Sequence, residues 1–167
     1  MWSLGTPSYA LTETIKPNSN ISISPNLSGD YTDVVNDDSD FIIITAEGVV
    51  ADARFGNETP EVTSGTILKV TMYIKGQSGA LGYYAGLIRT HDTNYYTSTY
   101  TDYSFQTYDW SVNPNTSLAW TWDEIADMQS GVSLENNDVY ENTAQVGVVY
   151  IVIEYLPSDK SNFAEIY

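Results

Sequence analysis

From Ile67 to Lys75 the chain alternates without interruption: Leu68, Val70, Met72 and Ile74 fall on one side, Lys69, Thr71, Tyr73 and Lys75 on the other. Successive side chains of a strand point to opposite faces, so this period of two predicts a strand with one face on a core and one toward solvent. The signal recurs along the chain. Val49, Ala51, Ala53 and Phe55 alternate with Val50, Asp52 and Arg54, and the loop Gly56-Asn57-Glu58-Thr59-Pro60 closes that strand. Phe41-Ile42-Ile43-Ile44 is a short β-branched burst expected to be buried, and Ala144 to Tyr155, apolar on both faces from Val148 onward, is expected to be a central strand. The turn Gly76-Gln77-Ser78-Gly79 leads into Leu81 to Thr90, either as a hairpin or as a step between sheets. Strands recurring between turn residues predict an all-β, antiparallel two-sheet sandwich, jelly-roll-like.

One short helix interrupts the pattern near residues 122–130. Thr121 and Glu124 have the spacing of a capping box, Ile125 and Met128 follow at helical spacing, and Gly131 offers a left-handed stop. A chain of 167 residues fits one domain. The expected division is an extended amino-terminal arm over residues 1–20, the sandwich over 21–156 and a tail over 157–167. The arm is rich in Ser, Thr, Asn and Pro, and either lies on a neighbouring subunit or forms an edge strand. No internal repeat and no second domain is evident.

Composition narrows the function classes. Twenty-two acidic residues against six basic ones give a net charge of −16, which repels phosphate backbones and anionic bilayers. Neither nucleic-acid binding nor membrane insertion is expected. The absence of cysteine removes thiol catalysis, thiolate metal sites and disulfides. Met1-Trp2-Ser3-Leu4-Gly5-Thr6-Pro7 has neither the basic start nor the apolar run of a signal peptide, and none is expected. Catalysis finds little support. His91, the single histidine, sits in Thr90-His91-Asp92-Thr93 without a nucleophile motif and reads as a turn residue, and no carboxylate pair stands out among so many acids. The expectation is a protein that is not an enzyme.

Two groups of residues are candidates for binding. Asp37, Asp38 and Asp40 put hard oxygen ligands in one loop that could hold a structural calcium, although the spacing is not that of an EF-hand. The alternative is a solvated turn whose carboxylates bond their own backbone. No other cofactor is indicated. The aromatic run supplies Tyr96, Tyr100, Tyr103, Tyr108 and Trp110 as candidate ligand or interface residues, since exposed rings give apolar area with a polar handle. Period two places Tyr96 and Tyr100 on one face. Trp120 and Trp122 are expected instead to pack the helix onto a sheet.

Two blocks carry a resemblance. The first is Ile21 to Ile44: a Pro-Asn turn, the strand Tyr31-Thr32-Asp33-Val34, the loop Asp37-Asp38-Ser39-Asp40 and a buried strand. The second joins the Asn113-Pro114 turn, Trp120-Thr121-Trp122, Ile125, Met128 and Gly131-Val132 to Val148 through Tyr155. Their order resembles a diffuse family of β-sandwich minor structural proteins, virion- or tail-associated, of tailed phages, prophages and archaeal viruses. The resemblance implies a non-catalytic structural or decorating protein of a virion or extracellular assembly. Its partners would be copies of itself or other structural proteins, as in capsid decoration. A carbohydrate-binding module with exposed aromatics on glycan is the alternative, and a hydrolase fragment ranks last.

Overall fold

The computed structural model describes residues 9–38, 40–79, 81–137 and 144–158. In chain order these form β1 (Leu11–Ile15), β2 (Pro17–Ile23), β3 (Leu27–Ser28), a 3-10 turn (Tyr31–Val34), β4 (Ile42–Ile44), β5 (Val49–Asn57), β6 (Thr66–Gln77), β7 (Gly82–Thr90), β8 (Thr93–Tyr96), β9 (Ser104–Trp110), α1 (Trp122–Asp127), β10 (Gln129–Asn136) and β11 (Gln145–Leu156). The first sheet has the order β3-β4-β11-β6-β9, with β1 also on β11; the second has the order β2-β5-β10-β7-β8. Every strand pair is antiparallel.

The two sheets pack as a sandwich, and the chain weaves between them. Setting β1 to β3 aside, the orders β4-β11-β6-β9 and β5-β10-β7-β8 are those of a jelly roll, with β4 to β5, β6 to β7 and β9 to β10 each stepping from one sheet to the other. The Gly76–Gly79 turn is therefore a step between sheets. β11 is central, flanked by β6 along its length and by β4 and β1 end to end on its other side.

Residues 11–20 are built into the sandwich. β1 lies on β11 and β2 on β5, so the chain changes sheets at Lys16 and supplies an edge strand to each, and the expected boundary at residue 20 falls inside β2. The first eight residues of the expected arm and the tail from 159 onward lie outside the described residues.

The core forms where the inner faces meet. Ala51, Ala53 and Phe55 of β5, Val132 and Leu134 of β10 and Ile88 of β7 face Val70, Met72 and Ile74 of β6 and Val149, Ile151 and Ile153 of β11. Each of the fully buried Val, Leu, Ile, Met and Phe side chains among these contributes about 1.5–3 kcal/mol before entropy is counted. The sheets approach closely at Gly86, where an added Cβ would lie 2.1 Å from Met72 Sδ.

Three expectations are corrected. The strand expected at Tyr31 to Val34 is the 3-10 turn, opened by a capping box between Asp30 and Asp33. Leu68 is not on the core face: the register slips between Glu154–Lys69 and Tyr155–Ile67, so a bulge at Leu68 turns Ile67 inward and leaves Leu68 36% exposed. Gly131 does not stop the helix. α1 ends at Asp127, Met128 is already extended (φ −69°, ψ 138°), and Gly131 sits inside β10 opposite Arg54 and Leu87. The start is as expected: Thr121 and Glu124 form the capping box. Among the described residues no helix is long and apolar enough to cross a membrane.

Candidate functional site

The aromatic run does not form one surface. β8 ends at Tyr96 and β9 begins at Ser104, so the segment between them carries the chain from the edge of the second sheet to the edge of the first. Tyr96 is exposed on the outer face of the second sheet. Tyr100 turns back toward the interior, its ring 5.7 Å from that of buried Tyr84 and its hydroxyl donating to the Thr107 carbonyl at 3.4 Å. Period two fails for this pair because the strand breaks after Tyr96. Burial pushes the Tyr84 hydroxyl up to about 12, and that hydroxyl donates to the Asp102 carbonyl at 2.7 Å.

Trp110 is a core residue rather than an interface residue. It pairs with Val70, is only 8% exposed, and its carbonyl accepts the Trp120 indole N–H at 3.1 Å. β9 presents Gln106, Tyr108 and Trp110 inward and Phe105, Thr107 and Asp109 outward, so Tyr108 is half-buried with its ring 4.7 Å from that of Trp110. Trp120 is buried, and Trp122 packs edge-on against Tyr155 at 5.3 Å, as expected for rings that hold the helix to the sheets.

Tyr103 remains on the surface and has company the sequence did not point to. Tyr103 and Phe105 are 53% and 47% exposed, and Lys75 Nζ lies 4.9 Å and 5.2 Å from their ring centres. The same ammonium donates to both oxygens of Asp37 at 2.7 and 2.9 Å, and this hydrogen bonding raises the lysine's pKa above its ordinary value. One row along, Tyr73 and Tyr150 stack at 4.8 Å with their planes 7° apart. The outer face of β9, β6 and β11 thus carries four aromatic rings beside a hollow of about 420 Å³ bordered by Lys16, Asp37, Phe105, Val148 and Tyr150. The available signal was the outward half of the alternation: Tyr73 shares its side with Lys75, and Tyr150 stands among the apolar residues of β11.

The loop carboxylates do not converge. Asp37 is taken by Lys75, whereas Asp38 Oδ1 accepts the Asp40 amide at 2.9 Å, a carboxylate bonding its own turn. Among the described residues no group of three or more His, Cys, Asp and Glu side chains is disposed to hold a metal ion. Past the end of β10, Asn137 Nδ2 donates to Glu135.

His91 is a turn residue. His91 and Asp92 have φ of +48° and +61°, the left-handed pair that a two-residue hairpin between β7 and β8 demands. The turn brings His91 Nε2 to 2.9 Å from Glu124 Oε1, above a hollow of about 400 Å³ that Asp92, Asp123 and Asp127 also line. No family model matches the sequence, and no curated protein matches it.

Proposed function

We propose that this protein is a non-catalytic structural or decorating component of a virion or other extracellular assembly, acting through protein–protein contacts. The observation that carries this reading is the aromatic outer face of the first sheet. Tyr103, Phe105, Tyr73 and Tyr150 add nothing to the sandwich core, yet they gather on one face. Rings of this kind dominate interface energies, and the two lysines of the same face are already paired, Lys75 with Asp37 and Lys69 with Asp109 and Glu154, so the rings are what the face offers a partner. The resemblance to virion- and tail-associated sandwiches of phages and archaeal viruses supports the same role, with copies of this chain or another structural protein as partner.

Light scattering over a concentration series tests it. An oligomer is expected, and replacing Tyr103 and Phe105 together by Ser should weaken it by about 2 kcal/mol or more, roughly thirtyfold in Kd. A chain that stays monomeric throughout and whose size ignores the double substitution sinks the self-assembling form of the proposal. A glycan-binding role is the second reading. One observation favours it: Tyr96, an exposed ring fixed by a hydrogen bond, lies on the outer face of the other sheet.

A further inference from the structure

Tyr96 is anchored across its sheet. Its hydroxyl donates to Asp52 Oδ2 at 2.8 Å, although Tyr96 belongs to β8 and Asp52 to β5, with β7 and β10 between them. Strands lie about 4.8 Å apart, so a side chain reaching that far must run along the sheet surface rather than stand off it. The residues it passes over permit this. Tyr96 pairs with Leu87 and Leu87 with Gly131, while Asp52 pairs with Ser133 and Ser133 with Ala85. Leu87 points away from the main core yet is fully covered, and Ala85 and Ser133 are short and buried. A Cβ on Gly131 would lie 3.0 Å from Leu87 Cγ, so the glycine gives Leu87 room to fold down beneath the ring. Tyr96 is still 46% exposed. Beside it is a hollow of about 220 Å³ with Ala85 and Ser133 as its floor and Val50, Tyr83 and Thr99 around its rim.

From this geometry we infer a subsite for one pyranose ring of a neutral glycan, stacked on Tyr96 and seated between Tyr96 and Tyr83. The inference rests on the glycan-binding reading and names its site. A sugar presents an apolar C–H face and a rim of hydroxyls; the hollow is bordered by the rings of Tyr96 and Tyr83, with the Ser133 side chain on its floor and that of Thr99 at its rim. An anionic ligand is disfavoured by the net charge of −16 and by Asp52 beside the ring. The Asp52 bond fixes the ring before a ligand arrives, so less side-chain freedom is lost on binding.

The test is a titration of the isotope-labelled full chain by NMR with the methyl glycosides of glucose, galactose, mannose and N-acetylglucosamine. One sugar ring on one aromatic platform should bind with a Kd on the order of 1 mM. Shifts centred on Tyr96, Tyr83 and Ser133 for at least one glycoside are expected, weakened tenfold or more by Tyr96→Ala and only a few-fold by Tyr96→Phe, which keeps the platform and loses its anchor. Thr99→Trp, made at an exposed rim position, should block the hollow without touching the core, so a misfolded Tyr96→Ala would not leave the question open. Tyr103→Ala, on the other sheet, should bind as the parent does. Saccharide binding with shifts centred elsewhere overturns this site and leaves the glycan reading standing. No response to any of the four overturns both, and the assembly proposal is still decided separately by light scattering.

Discussion

Glu124 Oε2 accepts hydrogen bonds from the Thr121 amide and hydroxyl at 2.9 and 3.1 Å, while Oε1 faces His91. Burial alone would raise the carboxyl's pKa, but the bonds from His91 and Thr121 outweigh it and hold the group below its ordinary value. A carboxylate whose folded pKa is depressed stabilises fully above its unfolded value, here near 4.5, and loses that contribution as pH falls through the folded value. Glu124→Ala should therefore lose about 1 kcal/mol of capping and lower the melting temperature by about 2–4 °C near neutral pH. The gap between parent and variant should close in thermal melts taken below the folded pKa. A gap that does not change with pH would mean that the carboxylate charge contributes nothing. Glycines offer a sharper contrast. At Gly131 a Cβ would lie 2.2 Å from the Ala53 backbone carbonyl, which belongs to a paired strand; at Gly86 the nearest atom is the end of the flexible Met72 side chain. Gly131→Ala should thus lose about 1–3 kcal/mol, and Gly86→Ala distinctly less, in urea denaturation.

β9 and Tyr103 just before it divide their aromatics between two environments, and substitution can separate them. Trp110→Ala empties a core position and should lose about 3–5 kcal/mol, whereas Tyr103→Ala, with its ring on the surface, should stay within about 0.5 kcal/mol of the parent. Comparable losses at the two sites would contradict the inward face of β9. Parity was legible for this strand, but direction was not, since Phe105 on one side and Tyr108 and Trp110 on the other are equally apolar. The two faces of β5 were readable because only one of them carries Asp52 and Arg54, but its end was not: Gly56 and Asn57, expected in the closing loop, still pair with Ser19 and Pro17 of β2. The bulge at Leu68 was invisible because it is a property of the pairing with β11 and not of β6 alone. The helix start was written in two side chains, Thr121 and Glu124. Its end was decided by tertiary structure: Gln129 pairs with β7, and residues from Ser130 onward gain strand partners on both sides, in β5 and β7, which a further helical turn would forfeit. The Lys75–Asp37 bond and the Tyr96–Asp52 bond join residues 38 and 44 positions apart, and no local pattern announces either.

The whole molecule carries a charge of −16, and its described ion pairs are few and lie largely at the surface: Lys69 with Asp109 and Glu154, Lys75 with Asp37, Arg89 with Asp92 and His91 with Glu124. Such pairs contribute about 0–1 kcal/mol each. The uncompensated charge acts on every fold element and on every approaching copy at once. At about 0.01 M salt the screening length is about 30 Å, comparable to the size of a domain, and at about 0.15 M it contracts to about 8 Å. Repulsion within the fold should fall more than the pairs weaken, so the melting temperature should rise with added sodium chloride over this range. The same argument fixes the sign for assembly. Two acidic copies meeting through Tyr103, Phe105 and the Tyr73–Tyr150 stack must bring like charges together, so salt should tighten self-association while the aromatic contact is left unscreened. Light scattering at low and physiological ionic strength reads this directly. Dissociation on adding salt would show that copies are held by ion pairs, and the aromatic face of the first sheet would then lose its claim to be the interface.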